Sequence, residues 1–284
     1  MKESQTESKE SIEDIVLRHS GRGMDILRGY KTDRYAEKAA QTILGWEKGR
    51  VFLTTGFFVA GFAETDGPVG TLFLAKALRK LGYEPVILTD EFCKGFFESE
   101  GIQVLYMPFD ADLDWCMKQL GTYTPVGLIS IERCGENAAR EYANMRGVSI
   151  TDKTAAADLF FRIALGIVPT IGVGDGGNEI GMGNVAGIIE EKLSLKPCVV
   201  TVDQLVIATV SNWGAYAIIA YLERLSGVKV FMDFEEARAF IKKTVDMGSV
   251  DGVLKKQIVS VDGFGMEIEK EIIDSLGAAI WKLI

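Results

Sequence analysis

Two glycine-rich stretches hold the side chains best suited to chemistry. Pro169–Val185 (PTIGVGDGGNEIGMGNV) runs apolar into Val173, then interleaves six glycines, from Gly172 to Gly183, with Asp175, Glu179, Asn178 and Asn184. Glu64-Thr65-Asp66-Gly67-Pro68 sets two more carboxylates beside a glycine and a proline. Glycine has no Cβ and adopts positive φ freely, so such loops let backbone close on a ligand. Carboxylates held there repel a bare phosphate and attract a hard divalent cation. The expected metal ligands are Glu64, Asp66, Asp175, Glu179 and Asp203, with Mg²⁺ or Mn²⁺ as the ion. Asp66, Asp175 and Glu179 are the expected catalytic groups, and Asp152 and Asp262 are further candidates. Arg22, between Gly21 and Gly23, reads as an anion clamp, and Asn178, Ser211 and Asn212 as polar contacts to substrate.

Other readings of the same residues stand beside this one. Gly172-Val-Gly174-Asp-Gly176-Gly177 also fits the dinucleotide pattern G-x-G-x-x-G. That fingerprint opens directly into a helix, whereas Gly181 and Gly183 follow here, and Asp175 would face a pyrophosphate. The bland alternative is a tight structural turn with solvated acids. For Trp213, core packing competes with a role as a pocket wall.

Composition narrows the field. The chain has 284 residues, 48% hydrophobic and 25% charged, which is ordinary for a globular protein. A formal net charge of −9 without a basic patch argues against nucleic-acid binding. The four cysteines (Cys93, Cys116, Cys134 and Cys198) lack C-x-x-C spacing, which suggests reduced thiols in a cytoplasmic protein. His19 is the only histidine, so a histidine-based triad or zinc site must use it or be absent, and oxygen must supply most metal ligands. The charge-free run Gln204–Leu222 is long enough for a membrane span, but Ser211, Asn212, Trp213 and Gly214 in its middle fit a buried helix better.

The elements that must position these groups alternate. Strands are expected at Val51–Phe58, Pro85–Thr89, Ile102–Met107, Gly127–Ile131, Val168–Val173 and Cys198–Val202, and a short one at Ile258–Val261. Helices are expected near 9–20, 32–45, 70–81, 91–100, 112–120, 136–145, 154–165, 185–193, 233–247 and 267–276. The alternation predicts an α/β fold: a mainly parallel sheet flanked by helices, with room for a smaller lobe. Residues 1–17 read as a frayed N-terminal segment and 18–284 as a single domain. Such sheets bind ligands outside the carboxyl ends of their strands. Glu64 and Asp66, Asp90, Asp110, Glu132, Asp175 and Asp203 each follow an expected strand, with helix capping the simpler reading for Asp90 and Asp110.

The succession Gly21-Arg22-Gly23, Thr54-Thr55-Gly56-Phe57, Glu64-Thr65-Asp66-Gly67-Pro68, Gly174-Asp175-Gly176-Gly177-Asn178-Glu179-Ile180-Gly181 and Ser211-Asn212-Trp213-Gly214 resembles the D-glutamate cyclase family. The likeness extends from about residue 18 to the C-terminus. Larger members carry a further N-terminal domain, and this chain resembles their C-terminal part. The resemblance implies an enzyme that converts D-glutamate to 5-oxo-D-proline with loss of water. The residues suit a metal-dependent enzyme acting on a small anionic metabolite; a Mg²⁺- or Mn²⁺-dependent phosphatase and a non-catalytic metal- or ligand-binding module fit the same acids. Further expectations are a small anionic substrate, no nucleic-acid or membrane partner, and a homo-oligomer.

Overall fold

The structure, a computed structural model, describes residues 10–193 and 195–282. Its centre is a six-stranded parallel sheet made of β1 (Arg50–Thr54), β4 (Glu84–Thr89), β5 (Gln103–Tyr106), β6 (Gly127–Ile131), β7 (Thr170–Gly174) and β8 (Gln204–Ile207), in the order β5-β4-β1-β6-β7-β8. β2 (Phe58–Val59) and β3 (Phe62–Ala63) form a separate antiparallel hairpin. The helices are α1 (Ile12–Ile15), α2 (Met24–Arg28), α3 (Tyr35–Gly45), α4 (Pro68–Lys80), α5 (Leu113–Tyr123), α6 (Asp158–Ala164), α7 (Ala186–Leu193), α8 (Ser211–Ser226), α9 (Phe234–Asp246) and α10 (Met266–Ile280).

The inner strands read as unbroken apolar runs because helices cover both faces of the sheet. All five residues of β6 and of β7 are buried. From β1 the chain winds outward through β4 to β5, then crosses back and winds the other way through β6, β7 and β8. The reversal leaves a crevice between β1 and β6 at the carboxyl edge, where doubly wound sheets take their ligands.

α8 is buried from Ser211 to Glu223 and is apolar all round, as a core helix must be. It packs on α4 at short range: a Cβ on Gly70 would lie 2.8 Å from the Ala215 Cβ and 3.0 Å from the Asn212 Cα. Their amino ends interlock. Asn212 Oδ1 accepts from the Gly67 and Gly70 amides at the start of α4, at 3.0 and 2.7 Å. Asp66, just before α4, accepts from the Ser211 and Asn212 amides that open α8, each at 2.8 Å. Each helix thus closes the other's unpaired amides.

Several sequence expectations change. The helix expected at 91–100 is two short 3₁₀ turns, Glu91–Cys93 and Glu98–Glu100. Cys198–Val202 is no sheet strand; Cys198 N donates to Gly177 O, and Val200 O accepts from the Gly181 and Gly183 amides, so the segment lies along the glycine loop. The sixth strand is instead β8, cut from the front of the apolar run 204–222. The expected helix at 136–145 is an irregular loop. There Asn137 Oδ1 takes the Ala139 and Glu141 amides, and Asn144 Oδ1 those of Arg146 and Val148, which diverts the backbone from helical pairing. Ile258–Val261 carries only an isolated bridge from Val261 to Phe264. Finally, within the segment expected to fray, Ile12, Glu13, Ile15, Val16 and Leu17 are buried, while residues 1–9 lie outside the described residues. None of the described helices is long and apolar enough to cross a membrane.

Candidate functional site

A cavity of about 290 Å³ opens at the carboxyl edge, over the crevice between β1 and β6. Its walls come from the loops after β1, β6 and β7, the Arg22 turn, and the segment around residues 252–262. The hairpin forms part of the rim, with Ala60 at φ 51° and Gly61 at φ 101° making its tight turn. Five carboxyls line the cavity: Glu64, Glu132, Asp175, Glu179 and Asp262.

Three acids from separate loops meet here: Glu132 and Asp175 line the cavity, and the buried Asp66, which does not line it, joins them. Asp66, Glu132 and Asp175 each present an oxygen, and these oxygens all lie within 4.8 Å of one another. Ser211 touches all three. Its amide donates to Asp66 Oδ2 at 2.8 Å and to Asp175 Oδ2 at 3.2 Å, and its hydroxyl to Glu132 Oε2 at 2.6 Å. Because Ser211 is the first residue of α8, the carboxylates also face the positive end of a helix. Glu132 holds left-handed backbone at φ 45° and Asp262 at φ 51°, an arrangement non-glycine residues adopt at some cost.

Burial raises these acids. Desolvation and the neighbouring carboxylates push Glu64 and Glu132 well above the usual range. Asp175 is pushed up by desolvation although the Arg22 guanidinium pulls it down. Asp66 rises to about 7 through desolvation and the charge of Asp262, against the α8 amides that favour its charged form. A cation bound among these carboxyls would have to displace their protons.

The other expected residues divide. Glu179 lines the cavity, but its oxygens take the Gly176 and Gly177 amides at 2.7 and 2.8 Å. The amide nest that a dinucleotide pyrophosphate would need is filled by this side chain, and after Gly177 the chain runs through Asn178–Gly181 and a 3₁₀ turn at Met182–Val185 before α7 begins. Glu64 faces the cavity with no side-chain hydrogen bond among the described residues. Asp203 stands apart from the cluster. It precedes β8 and accepts from the Thr170 amide and hydroxyl at 2.8 and 2.9 Å, tying the amino ends of β7 and β8 at the opposite edge of the sheet. It was expected at a strand's carboxyl end because the sixth strand was placed one segment early. Asp152 is exposed on a short turn and lines no part of the cavity. Asp262 does belong: it lines the cavity and pairs with Arg22.

Arg22 also lines the cavity, yet one of its nitrogens holds Asp175 at 2.6 Å, Thr209 O at 2.9 Å and Asp262. Asn178 lines the cavity too, and its Nδ2 donates to Ala143 O at 2.8 Å, which ties the glycine loop to the 137–150 loop. Ser211 and Asn212 are wholly buried beneath the floor, where they hold acids and helix ends. Glu132 was not among the expected ligands. Its signal was present, an acid directly after the apolar run Gly127–Ile131 with Gly135 and Glu136 close behind.

A doubly wound α/β fold with a buried acid cluster at its switch point is the class of protein defined here. Within it, the chain belongs to the family described as D-glutamate cyclase-like, C-terminal, whose model matches residues 12–277. A curated relative, the mitochondrial D-glutamate cyclase of Homo sapiens, is 32% identical over 195 residues, which is 59% of this chain and 32% of the relative. The chain thus spans about a third of the length of the curated relative it matches. Among solved structures, a glycosyltransferase from Rickettsia africae ESF-5 aligns at TM-score 0.30 and 14% identity, over 57% of this chain and 43% of that one. An NAD⁺-bound xylitol dehydrogenase aligns at TM-score 0.26 and 12% identity, over 83% and 93%. Likenesses of that size carry no argument about fold or function.

Proposed function

We propose that this chain is an enzyme that cyclises a small amino dicarboxylate of the D-glutamate type, with Mg²⁺ or Mn²⁺ held by Asp66, Glu132 and Asp175. The observation that carries the reading is the convergence of these three buried carboxylates on Ser211. Oxygen-only donors suit a hard cation, and among the described residues Asp175 Oδ1 and Glu132 Oε1 accept no hydrogen bond and Asp66 Oδ2 accepts one. A bound divalent cation would supply Lewis-acid polarisation of a carboxyl group, which is otherwise a poor electrophile. In the net reaction the amine nitrogen bonds to the distal carboxyl carbon, a C–O bond breaks, and water leaves as the lactam forms. Glu64, facing the cavity with no hydrogen-bond partner among the described residues, is placed to exchange a proton with the amine or the departing oxygen. Arg22 offsets part of the charge on Asp175 and Asp262. The apolar rim, including Phe57, Val148 and Ile150, limits the access of water. Family membership and the 32% identity to a D-glutamate cyclase support the substrate class.

The test is a metal panel. Chelator-treated protein is supplied with Mg²⁺, Mn²⁺ or neither, and incubated with D-glutamate or with small phosphoesters. Metal-dependent formation of 5-oxo-D-proline is the expected result. Phosphate release in its place would assign a phosphatase, and binding without turnover would assign a ligand-binding module.

A further inference from the structure

Resting on the reading of the cavity as the seat of a small amino dicarboxylate, we propose that Arg146 and Lys255 bind the substrate carboxylate that does not react. The argument begins with charge. Among the described residues, five carboxyls line this cavity and three cationic side chains do, Arg22, Arg146 and Lys255. Arg22, the clamp expected from sequence, is engaged by Asp175, Asp262 and Thr209 O. Arg146 and Lys255 have no ion pair or side-chain hydrogen bond among the described residues. An anionic group entering so acidic a space meets repulsion at the floor, and a cation held there compensates only the carboxyl it touches. The second carboxylate therefore needs a counter-charge near the mouth, and these two side chains supply it.

Both cations sit on turns held by a neighbouring side chain rather than on loose loops. Asn144 Oδ1 accepts from the Arg146 and Val148 amides at 3.0 and 3.1 Å, and the Gly147 amide returns to Asn144 O at 2.8 Å. Asp251, wholly buried, takes the Val253 and Leu254 amides on one oxygen at 2.9 and 2.7 Å. Its other oxygen takes the Ser260 hydroxyl at 2.6 Å and the Gly263 amide at 2.8 Å. Lys255 holds left-handed backbone at φ 54°, with its amide on Asp251 O at 2.8 Å. Turns fixed in advance lower the entropy lost when long side chains settle on a ligand. The guanidinium can meet a carboxylate with two parallel bonds, and the ammonium adds a point charge.

The test compares two ligands by calorimetry in the presence of Mg²⁺ or Mn²⁺: D-glutamate, and 4-aminobutyrate, which keeps the amine and the reacting carboxyl but lacks the second carboxylate. The wild type should prefer D-glutamate. R146A and K255A should each weaken D-glutamate binding about tenfold while leaving 4-aminobutyrate unchanged, the double variant should bind both alike, and R146K should recover part of the preference. A wild-type preference retained in the double variant, in protein that still cyclises D-glutamate, overturns the clamp and leaves the proposed activity standing. Equal loss for both ligands would mark a structural role and also overturn it. A wild type that neither binds nor cyclises D-glutamate overturns the activity and the clamp together.

Discussion

Carboxyl groups are buried in two ways in this molecule, and the contrast separates structure from chemistry. In the helical layers Glu13 and Glu269 each have a protein donor on both oxygens. Glu13 takes the Ala36 amide at 3.2 Å and the Tyr221 hydroxyl at 3.0 Å. Glu269 takes the Trp213 indole N–H at 2.6 Å and the Tyr216 hydroxyl at 2.8 Å. Every oxygen there has a protein donor, so the group completes a network and faces nothing further. At the carboxyl edge of the sheet, Asp66, Glu132 and Asp175 instead crowd one another around Ser211, and Glu132 Oε1 and Asp175 Oδ1 accept no hydrogen bond among the described residues. Mutual repulsion that burial makes worse is relieved by protonation or by a bound cation.

The comparison can be broken at either region. The largest effect is expected from Asp175→Asn, which should lower cyclisation by at least about 1000-fold while the urea midpoint moves little, since the side chain keeps its size and the cluster loses a charge. Steady-state rates beside urea titrations read both. Glu269→Ala should do the reverse. It leaves the indole N–H and the Tyr216 hydroxyl without their acceptor, which should cost about 2–4 kcal/mol of stability and leave the specific activity of the folded fraction unchanged. Mg²⁺ or Mn²⁺ at about 100 times its dissociation constant should stabilise the wild type by about 2.7 kcal/mol, and Asp175→Asn far less, in metal-dependent melting curves.

Gly252→Ala sharpens the contrast from outside the cluster. A Cβ there would lie 1.9 Å from Glu64 Oε2 and 2.9 Å from Asp262 Oδ1, so both carboxyls must swing. That displacement should lower kcat/KM about 10- to 100-fold with little change in melting temperature. The smallest effect concerns pH. Burial raises the Glu269 pKa above its unfolded value of about 4.3, so its contribution to stability is complete below that pH and is lost as pH rises through the folded value. Over that window the unfolding free energy of the wild type should fall more steeply with pH than that of E269Q.

Much of this arrangement was legible in the residues. The apolar runs at 51–58, 85–89 and 127–131 announced a parallel sheet, although the first ends as a strand at Thr54, and the paired acids in glycine loops pointed to its carboxyl edge. What escaped was set by long-range contacts. Asp203 was misplaced because Cys198–Val202 has strand-like residues but spends its hydrogen bonds on the glycine loop. The segment 136–145 looked helical because pattern alone does not reveal that Asn137 and Asn144 will bond their own backbone. Ser211 and Asn212 were read as reaching substrate, since a polar pair inside an apolar run suggests a ligand; they reach acids and helix ends instead.

The exchange of end-closures between α4 and α8 has a consequence for how this protein can change. Asp66 is at once a member of the acid cluster and a fastener for the two helices at the heart of the molecule. A lineage or an engineer seeking new chemistry could vary the mouth residue by residue, but any substitution at Asp66 reaches into the keel. The reactive floor should therefore resist drift even after the original activity has been lost.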